Sequence, residues 1–598
     1  MHRREACNQL QFPPSLHPLL QQVYRHREIA NLDELELNLN NLLPPDNLTG
    51  MKAAVTRLLT ALTEQQKIII VGDFDADGAT SCALAILALR SFGHNAADYI
   101  VPNRFEYGYG LTPEIVALAL KKSPDMLITV DNGIASTDGV AAANSAGVDT
   151  LITDHHLPGK QLPAAAAIVN PNQPGCNFAS KNLAGAGVIF YVMLALRSRL
   201  RETGWFKSRN IPEPNMAELL DLVALGTIAD VVPLDWNNRI LVNEGLKRIR
   251  ANHSRPGILA LLKVARRNPT QITAADLGFK LGPRLNAAGR LDDMSIGIEC
   301  LLSTPPEAIH LATQLDELNR ERRTIEAKMR KEALEAVTEI KLDEGNLPTA
   351  ICLFQETWHQ GVLGIVAAHI KERYHRPVIV FAKASDARTS DTKGNDAKAS
   401  DVGVGDTEAG NKIELKGSAR SITGFHIRDA LDAVATQHPG LISKFGGHSM
   451  AAGLSLSADN FAQFQTAFTA EASRQLDESR LQARVSSDGS VAPDNLNLLA
   501  AEALTEAGPW GQGFPQPVFD GTFQIIQQRR VGERHLKLSL HPPNEPQHTV
   551  DAIAFNVRES DWPADTATEI HIAYHLEVNE YRNTRQLQLL VRHIFSSQ

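Results

Sequence analysis

Cysteine is scarce and unpaired in this chain. Its five residues among 598, Cys7, Cys82, Cys176, Cys300 and Cys352, never take a Cys-x-x-Cys spacing, which excludes a disulfide framework and a thiolate zinc site. Long apolar runs are missing as well: nothing approaches the roughly 18 residues of a membrane span. Residues 1–12 lack a basic start followed by an apolar stretch, so the expected compartment is the cytoplasm, with no membrane involved. Nor is there an excess of positive charge. The net charge is -9, so any surface for a polyanion must be local. No internal repeat is evident, and a monomer is the default expectation.

A chain of this length exceeds one core and is expected to form three or four domains. Residues 67–233 alternate short apolar runs, at 68–71, 99–101, 126–130, 150–153 and 167–169, with helical patterns. That alternation predicts a mostly parallel sheet with helices on both faces. Residues 239–302 read as helical, and a long charged helical pattern runs from Pro305 or Pro306 to about Lys341. Strand signals return at 350–354 and 378–381. The Ser-, Asp-, Gly- and Lys-rich stretch 383–412 has too few large apolar residues to order itself and reads as a disordered insertion. The second α/β pattern resumes at Ile413 and ends near Leu476, and 486–495 reads as a linker. Beyond Phe514 alternating runs at 536–540, 550–555, 570–578 and 587–595 suggest a small barrel or sandwich. The fold class expected is therefore α/β, with two α/β domains joined by a long helix and a C-terminal β-barrel. The expected boundaries are 1–50 for an N-terminal extension, 51–235 for the first α/β domain, 236–304 for a helical segment, 305–342 for the connecting helix, 343–478 for the second α/β domain with its insertion at 383–412, and 479–598 for linker and barrel.

Acidic clusters follow the apolar runs of the first domain. Asp73-Phe74-Asp75-Ala76-Asp77-Gly78 leaves the run 68–71 and enters an Ala- and Leu-rich helical pattern. An EF-hand loop would need a Glu at its twelfth position, and counting from Asp73 that position is Leu84. A covalent aspartyl nucleophile leaves a later Asp-His-His without explanation. Helix capping accounts for one Asp and poorly for three in alternation. Asp131, before Asn132-Gly133, reads alone as a turn residue, and His155-His156 alone as surface. Asp230 ends a helical pattern, where it faces the negative end of the macrodipole unless something cationic compensates. Together, these clusters at strand ends are what a dinuclear metal site requires, because ligands of such sheets gather at the carboxyl ends of strands. Carboxylates with one or two imidazoles suit Mn2+ or Mg2+. Two such ions, roughly 3.5–4 Å apart, can activate water and clamp phosphoryl oxygens. The reaction class is phosphoester hydrolysis.

In this order, Asp73-Phe-Asp-Ala-Asp-Gly78, Val130-Asp131-Asn132-Gly133, Asp154-His155-His156 and Ala229-Asp230-Val231 resemble the motifs of the DHH phosphoesterase superfamily. Gly417-Ser418-Ala419-Arg420-Ser421 and Gly446-Gly447-His448 match its DHHA1 domain. Residues 103–110 and 281–290, with their Arg104 and Arg284, look like those of the RecJ family within it, the single-strand-specific 5′ exonucleases of bacteria. The similarity covers nearly the whole chain, including a terminal region similar to that family's OB-fold; the insertion at 383–412 departs from it. The resemblance implies that Asp75, Asp77, Asp131, His155 and Asp230 hold the metals, with Asp131 bridging. It implies that Asp73 and Asp154 support the ligands and that His156 faces the scissile phosphate. Arg104, Arg284, Ser418, Arg420, Gly447 and His448 would line the pocket for the phosphate and the 5′ end. It also implies single-stranded DNA as substrate, and single-strand-binding protein and a RecQ-like helicase as partners.

Degradation from a 5′ end needs an electropositive path for the strand. Lys247, Arg248, Arg250, Arg266, Arg267, Arg290, Arg320, Arg322 and Arg323 are candidates, against the alternative of a solvated helix face mixed with Glu. In the barrel, Tyr574, Tyr581, Phe555 and Trp562 are candidate stacking platforms beside Arg529, Arg530, Arg582 and Arg585. Tyr581 beside Arg582 is preferred and Phe555 is expected in the core. Two other readings stay open: a DHH hydrolase of short oligonucleotides or cyclic dinucleotides, and a catalytically dead single-strand-binding scaffold.

Overall fold

Ile68-Ile69-Ile70-Val71 is buried at every position, as a strand covered by helices on both faces must be. It forms β1 (Ile68–Gly72) of a five-stranded sheet in the computed structural model. The other strands are β2 (Ala97–Ile100), β3 (Met126–Val130), β4 (Asp149–Thr153) and β5 (Ala167–Val169). Their order in space is β2-β1-β3-β4-β5 and every pairing is parallel. The chain adds β2 on one side of β1 and then returns to place β3 on the other. The carboxyl ends of β1 and β3 therefore flank the topological switch point, where such sheets bind ligands.

The structure describes all residues except 8, 104–106, 108, 345–346, 385–412, 479, 533, 544, 558–561, 563, 565, 582–583 and 598, and omits the side chains of 340–344, 581 and 596–597. Arg104, Arg582, the Tyr581 side chain and nearly all of the expected insertion at 383–412 thus lie outside the described residues. The chain divides into two compact units, one of residues 1–289, 293–316 and 484–598, the other of 290–292 and 317–483. The helix Pro305–Glu344 carries the chain from one to the other. Among the described residues no helix is long and apolar enough to cross a membrane.

Three helices of the first unit lie at the ends of the sheet's acidic loops: α1 (Ala76–Ser91), α2 (Gly185–Glu202) and α3 (Leu220–Ala229). The buried face of α1 is rich in Ala, and Gly185 in α2 and Gly226 in α3 stand where an added Cβ would meet Asp131 and Asp77 at 2.6 Å, so the helices approach the site closely. The same unit holds a closed five-stranded barrel, in the order Phe519–Val531, His535–His541, Val550–Ala554, Thr584–Ser597, Glu569–Tyr581. Four of these strands lie where alternation predicts them. The first, Phe519–Val531, is not among the predicted runs, since Gln524, Gln527, Gln528, Arg529 and Arg530 blur its apolar period. Two aromatic expectations are reversed. Tyr574 is 1% exposed, with its ring 5.5 Å from Phe523, because its strand position points into the barrel. Phe555, expected in the core, follows the end of its strand and is 54% exposed.

In the second unit the sheet is mixed. Ile351–Phe354 and Val378–Lys383 pair in parallel, and Glu414–Arg420, Ala451–Ser457 and Lys444–Gly447 extend it antiparallel. Helices Ile427–Gln437 and Phe461–Gln475 pack their apolar residues, Phe464 and Phe468 among them, over one face.

The segment 486–495 is not a free linker. Ser486–Ser487 pairs in parallel with the short strand His2–Arg3, and the next residue is a fully buried carboxylate. Asp488 accepts from Arg27 Nη1 at 2.7 Å and Arg4 Nη1 at 3.0 Å, with the Arg27 side chain only 2% exposed. Composition hid this, because a short Ser-, Asp- and Gly-bearing stretch looks alike whether it is solvated or ion-paired. Replacing one member of a buried ion pair leaves its partner uncompensated. Asp488→Asn is expected to cost about 3–5 kcal/mol in urea denaturation; a loss below about 1 kcal/mol, the range of exposed pairs, would contradict the burial.

Candidate metal centre

Each acidic cluster is delivered by a strand end or a helix end of the first unit. After β1 the chain turns through Asp73 and Asp75 into α1. Asp75 caps that helix, its Oδ1 accepting from Asp77 N at 2.9 Å and Gly78 N at 3.0 Å. One carboxylate thus fulfils the capping reading while its neighbours do not. Asp77 is buried and turned toward the start of α2, where Gly185 N donates to Oδ2 at 2.6 Å and Ala186 N to Oδ1 at 2.9 Å.

Asp131 follows β3 with φ 62°, a left-handed conformation that Asp tolerates better than most residues and that marks a functional turn. It lies 1% exposed against the start of α2. A Cβ on Gly185 would stand 2.6 Å from the Cβ of Asp131, so only glycine lets helix and carboxylate come together. On the other side, Asp230 follows the last turn of α3. The next residue, Val231, has φ 63° and is 62% exposed, a strained position for a β-branched side chain of the kind that clusters at sites.

After β4, Asp154 organises the Asp-His-His loop. Its Oδ1 accepts from the backbone N of His155 at 2.7 Å and of His156 at 3.1 Å, and lies 2.8 Å from His156 Nδ1. Its Oδ2 accepts from Ile134 N at 2.9 Å. Burial raises its pKa, but His156, His155 and the backbone donors outweigh that and hold it below the ordinary carboxylate value. Burial likewise depresses the His156 pKa, and Asp154, Asp73 and Asp75 more than reverse it. His155 turns inward, its Nε2 2.9 Å from Asp131 Oδ1 and 3.5 Å from Asp230 Oδ2.

The donors converge in three overlapping groups: Asp73, Asp75 and Asp131; Asp77, His155 and Asp230; Asp131, His155 and His156. In each, the ligand atoms lie within 4.8 Å of one another. Asp131 and His155 each belong to two groups, which is the arrangement two neighbouring cations would share. Asp73, expected behind the ligands, comes as close as they do. The electrostatics point the same way. Burial, then Asp75, pushes Asp77 up to about 7. Burial, then the surrounding carboxylates, lifts Asp131 and Asp230 well above the ordinary carboxylate value. Among the described residues the buried Asp131 Oδ1 has no hydrogen-bond donor assigned to it, and the group facing it is the His155 imidazole at 2.9 Å. Hard oxygen donors with imidazole, crowded and under-neutralised, fit divalent cations of the Mn2+ or Mg2+ kind.

Several residues that build this centre escape a sequence reading. Asn170 and Asn172, after β5, donate from Nδ2 to the carbonyls of His156 at 2.9 Å and His155 at 2.6 Å. Asn286 accepts from Ala76 N at 2.8 Å. The Tyr109 hydroxyl lies 3.0 Å from His156 Nδ1. The asparagines follow the end of a strand of the same sheet, and that position was the available signal.

The other expected site residues fall into separate surroundings. Arg284 is buried in a pair with Asp316, Nε to Oδ1 2.9 Å, so its guanidinium is already engaged by a carboxylate. In the second unit Ser418 and Arg420 share one face of the strand Glu414–Arg420, and Gly453 stands opposite Ser418 on one side and Gly446 on the other. Arg420 donates to Ala419 O at 2.8 Å and lies 3.4 Å from Ser418 Oγ. No carboxylate pairs with it among the described residues, and burial lowers its pKa. A Cβ on Gly364, in the first turn of Leu363–Tyr374, would reach Arg420 Nη2 at 2.6 Å and Ser418 Oγ at 3.0 Å. Gly447, at φ 140°, admits no side chain either. Arginine, hydroxyl and helix N-terminus form a cradle suited to an anion. His448 is exposed beside it.

Of the path candidates, Arg322 is buried against Glu326 at 2.8 Å, Lys247 pairs with Glu244 at 2.6 Å, Arg267 with Asp276 at 3.2 Å and Arg585 with Glu502 at 3.0 Å. Lys247 thus pairs with a Glu on its own helix, as the mixed-face alternative has it, while Arg322 is buried against its Glu and Arg267 and Arg585 lie outside helices. Arg290 Nη1 donates to Gly361 O at 2.8 Å; Arg320 and Arg323 are exposed. In the barrel, Arg530 lies over the Trp562 ring at 3.8 Å.

A parallel sheet with carboxylates and imidazoles at its switch point, followed by a second α/β unit with an arginine cradle, defines a DHH–DHHA1 phosphoesterase architecture. Family models agree: "DHH family, N-terminal domain" matches residues 67–227, "DHHA1 domain" 346–474 and "RecJ OB domain" 487–593. The single-stranded-DNA-specific exonuclease RecJ of Dickeya dadantii is 52% identical over 99% of this chain and 98% of its own length. The crystal structure of RecJ from Thermus thermophilus with Mn2+ has a TM-score of 0.77 at 29% identity, covering 98% of this chain and 76% of that one. The same protein with Mg2+ gives 0.71 at 26% identity, covering 98% and 75%. The chain belongs to the RecJ family.

The raised carboxylates set a pH dependence. The native state without metal binds more protons than the unfolded chain between the ordinary carboxylate range and about 7, so this term lowers stability as pH rises through that window. Cations that replace those protons reverse it. Thermal melts are expected to show a larger Mn2+-induced rise at pH 8 than at pH 5.5, and an equal rise at both would contradict the protonated cluster.

Proposed function

We propose that this protein is a metal-dependent exonuclease that degrades single-stranded DNA from its 5′ end to mononucleotides. What carries the reading is the sharing of Asp131 and His155 between the donor groups. Asp75, Asp77, Asp131, His155 and Asp230 would hold two Mn2+ or Mg2+ ions, with Asp131 between them and Asp73 beside them. When bound, the ions supply Lewis-acid polarisation of the phosphoryl oxygens and make a water nucleophilic at neutral pH.

The side chains do the rest. Asp154 fixes the His156 ring, and His156, its pKa raised by Asp154, Asp73 and Asp75 against burial, faces the scissile phosphate. Ser418, Arg420, Gly447 and His448 take the 5′ phosphate, the half-buried Arg420 supplying charge that no protein carboxylate cancels among the described residues. Arg104, outside the described residues, is a further candidate phosphate contact by the family resemblance. Arg284 would act through its pair with Asp316, keeping Lys280 O and the turn around it in place. Arg290, Arg320, Arg323, Tyr581 and Arg582 belong to the path of the following strand. DNA repair and recombination, a cytoplasmic location, a monomer, and single-strand-binding protein and a RecQ-like helicase as partners complete the reading. The domain limits proposed are those expected from the sequence.

With Mn2+ or Mg2+, a long single strand labelled at its 5′ end should yield labelled mononucleotide. Its duplex and a dinucleotide should yield far less. Cleavage of the dinucleotide as good or better would favour a small-substrate hydrolase, and no cleavage a binding scaffold. Asp131→Ala is expected to lose at least about a thousandfold in kcat, as removal of a central catalytic group does, with an unchanged far-ultraviolet circular dichroism spectrum. Retained turnover would sink the bridging role.

A further inference from the structure

One side chain at the metal centre has no task in that chemistry. Tyr109 lies beyond the residues that the motifs single out as ligands, yet its hydroxyl is placed between two of the groups that matter most. It lies 3.1 Å from the carbonyl oxygen of Asp131, and 3.0 Å and 3.2 Å from Nδ1 and Nε2 of His156. The two rings meet edge to face, with centroids 5.5 Å apart at 70°. Phe74, inside the first acidic cluster, packs against the far side of the tyrosine at 6.2 Å and 78°. The loop behind it is tied down, since Leu111 N donates to Ser136 Oγ at 2.9 Å.

The chemistry of a hydroxyl gives this placement meaning. A phenol has one proton to donate and lone pairs to accept with. Its proton can go to the Asp131 carbonyl while its oxygen accepts from a ring N–H of His156, or turn toward a ring nitrogen that carries none. In the first of these states it links the His156 ring to the backbone of Asp131; with the proton turned to the ring, the contact is to the imidazole alone. Asp154 holds the imidazole at Nδ1, and the Tyr109 hydroxyl adds a second contact to the same ring from a different element. Tyr109 also remains 49% exposed, so it is no mere core residue.

We propose that Tyr109 is a positioning residue for phosphodiester hydrolysis, holding the His156 ring in register with Asp131 through its hydroxyl; this rests on the nuclease reading above. The phosphate contact is thereby aligned before substrate arrives, so the hydroxyl contributes to turnover and little to affinity.

The test uses the full chain with Tyr109→Phe, His156→Asn and both together, on the 5′-labelled long strand. Tyr109→Phe is expected to lower kcat roughly tenfold with KM changed by less than about twofold, the size of effect that loss of one oriented hydrogen bond carries. In the His156→Asn background the same change is expected to cost nothing further, because the two act as one unit. A kcat within about twofold of wild type, or an equal loss in both backgrounds, would overturn the proposal. A second readout needs no turnover. With 15N-labelled histidine, the ring signals that disappear in His156→Asn are expected to shift in Tyr109→Phe, and signals that stay put would overturn it. A wild-type chain inert on every strand would sink the nuclease reading, while the ring signals would still decide the place of Tyr109.

Discussion

Mutual repulsion among buried carboxylates governs this protein's first unit. Asp73, Asp77, Asp131 and Asp154 are each less than a tenth exposed, and three groups of donors overlap within a few ångströms. A protein interior does not tolerate such a concentration of like charge unless protons or cations neutralise it. Asp154 escapes because His156 and backbone donors satisfy it; Asp77, Asp131 and Asp230 are instead driven toward protonation. The division sorts the carboxylates into one that positions the histidines and those that wait for metal.

Much else follows from the need to hold those groups together against their repulsion. The parallel sheet brings the loops after β1, β3, β4 and β5 to one edge, and α2 lays its first turn on Asp77. Gly185 permits that approach and forbids any side chain there. The left-handed turns at Asp131 and Val231 store strain at the two points where the chain must present a carboxylate and change direction at once. Asn170 and Asn172 clamp the carbonyls of the two histidines, so the loop that carries them is braced from both sides.

How far the sequence foretold this depends on the kind of interaction. The strands Ile68–Gly72 and Met126–Val130 were legible because fully buried parallel strands are continuous apolar runs, and their ends located the acidic loops after them; Ala97–Ile100, half-buried at Asp98 and Tyr99, begins two residues before the run that marked it. The ligand types and the metal class were legible in the residue chemistry. The second unit was less so: antiparallel strands carrying Gly417, Gly446, Gly447 and Gly453 lack a clear apolar period, and their value lies in register. Pairing was illegible. Nothing in the string says that Arg284 faces Asp316, that Arg322 turns to Glu326, or that Asp488 lies buried under Arg27 and Arg4, since these partners are set by tertiary packing. Exposure of single aromatics failed for the same reason, with Tyr574 and Phe555 exchanging places.

The claim on which the rest depends is that Asp131 is shared between two cations. Manganese bound per chain, measured by equilibrium dialysis on the wild-type protein and on Asp131→Ala, addresses it directly. Sharing predicts two ions per wild-type chain and the loss of both from the tight-binding class when Asp131 is removed, because each ion loses a ligand. Two ions bound with unchanged affinity in Asp131→Ala would contradict it.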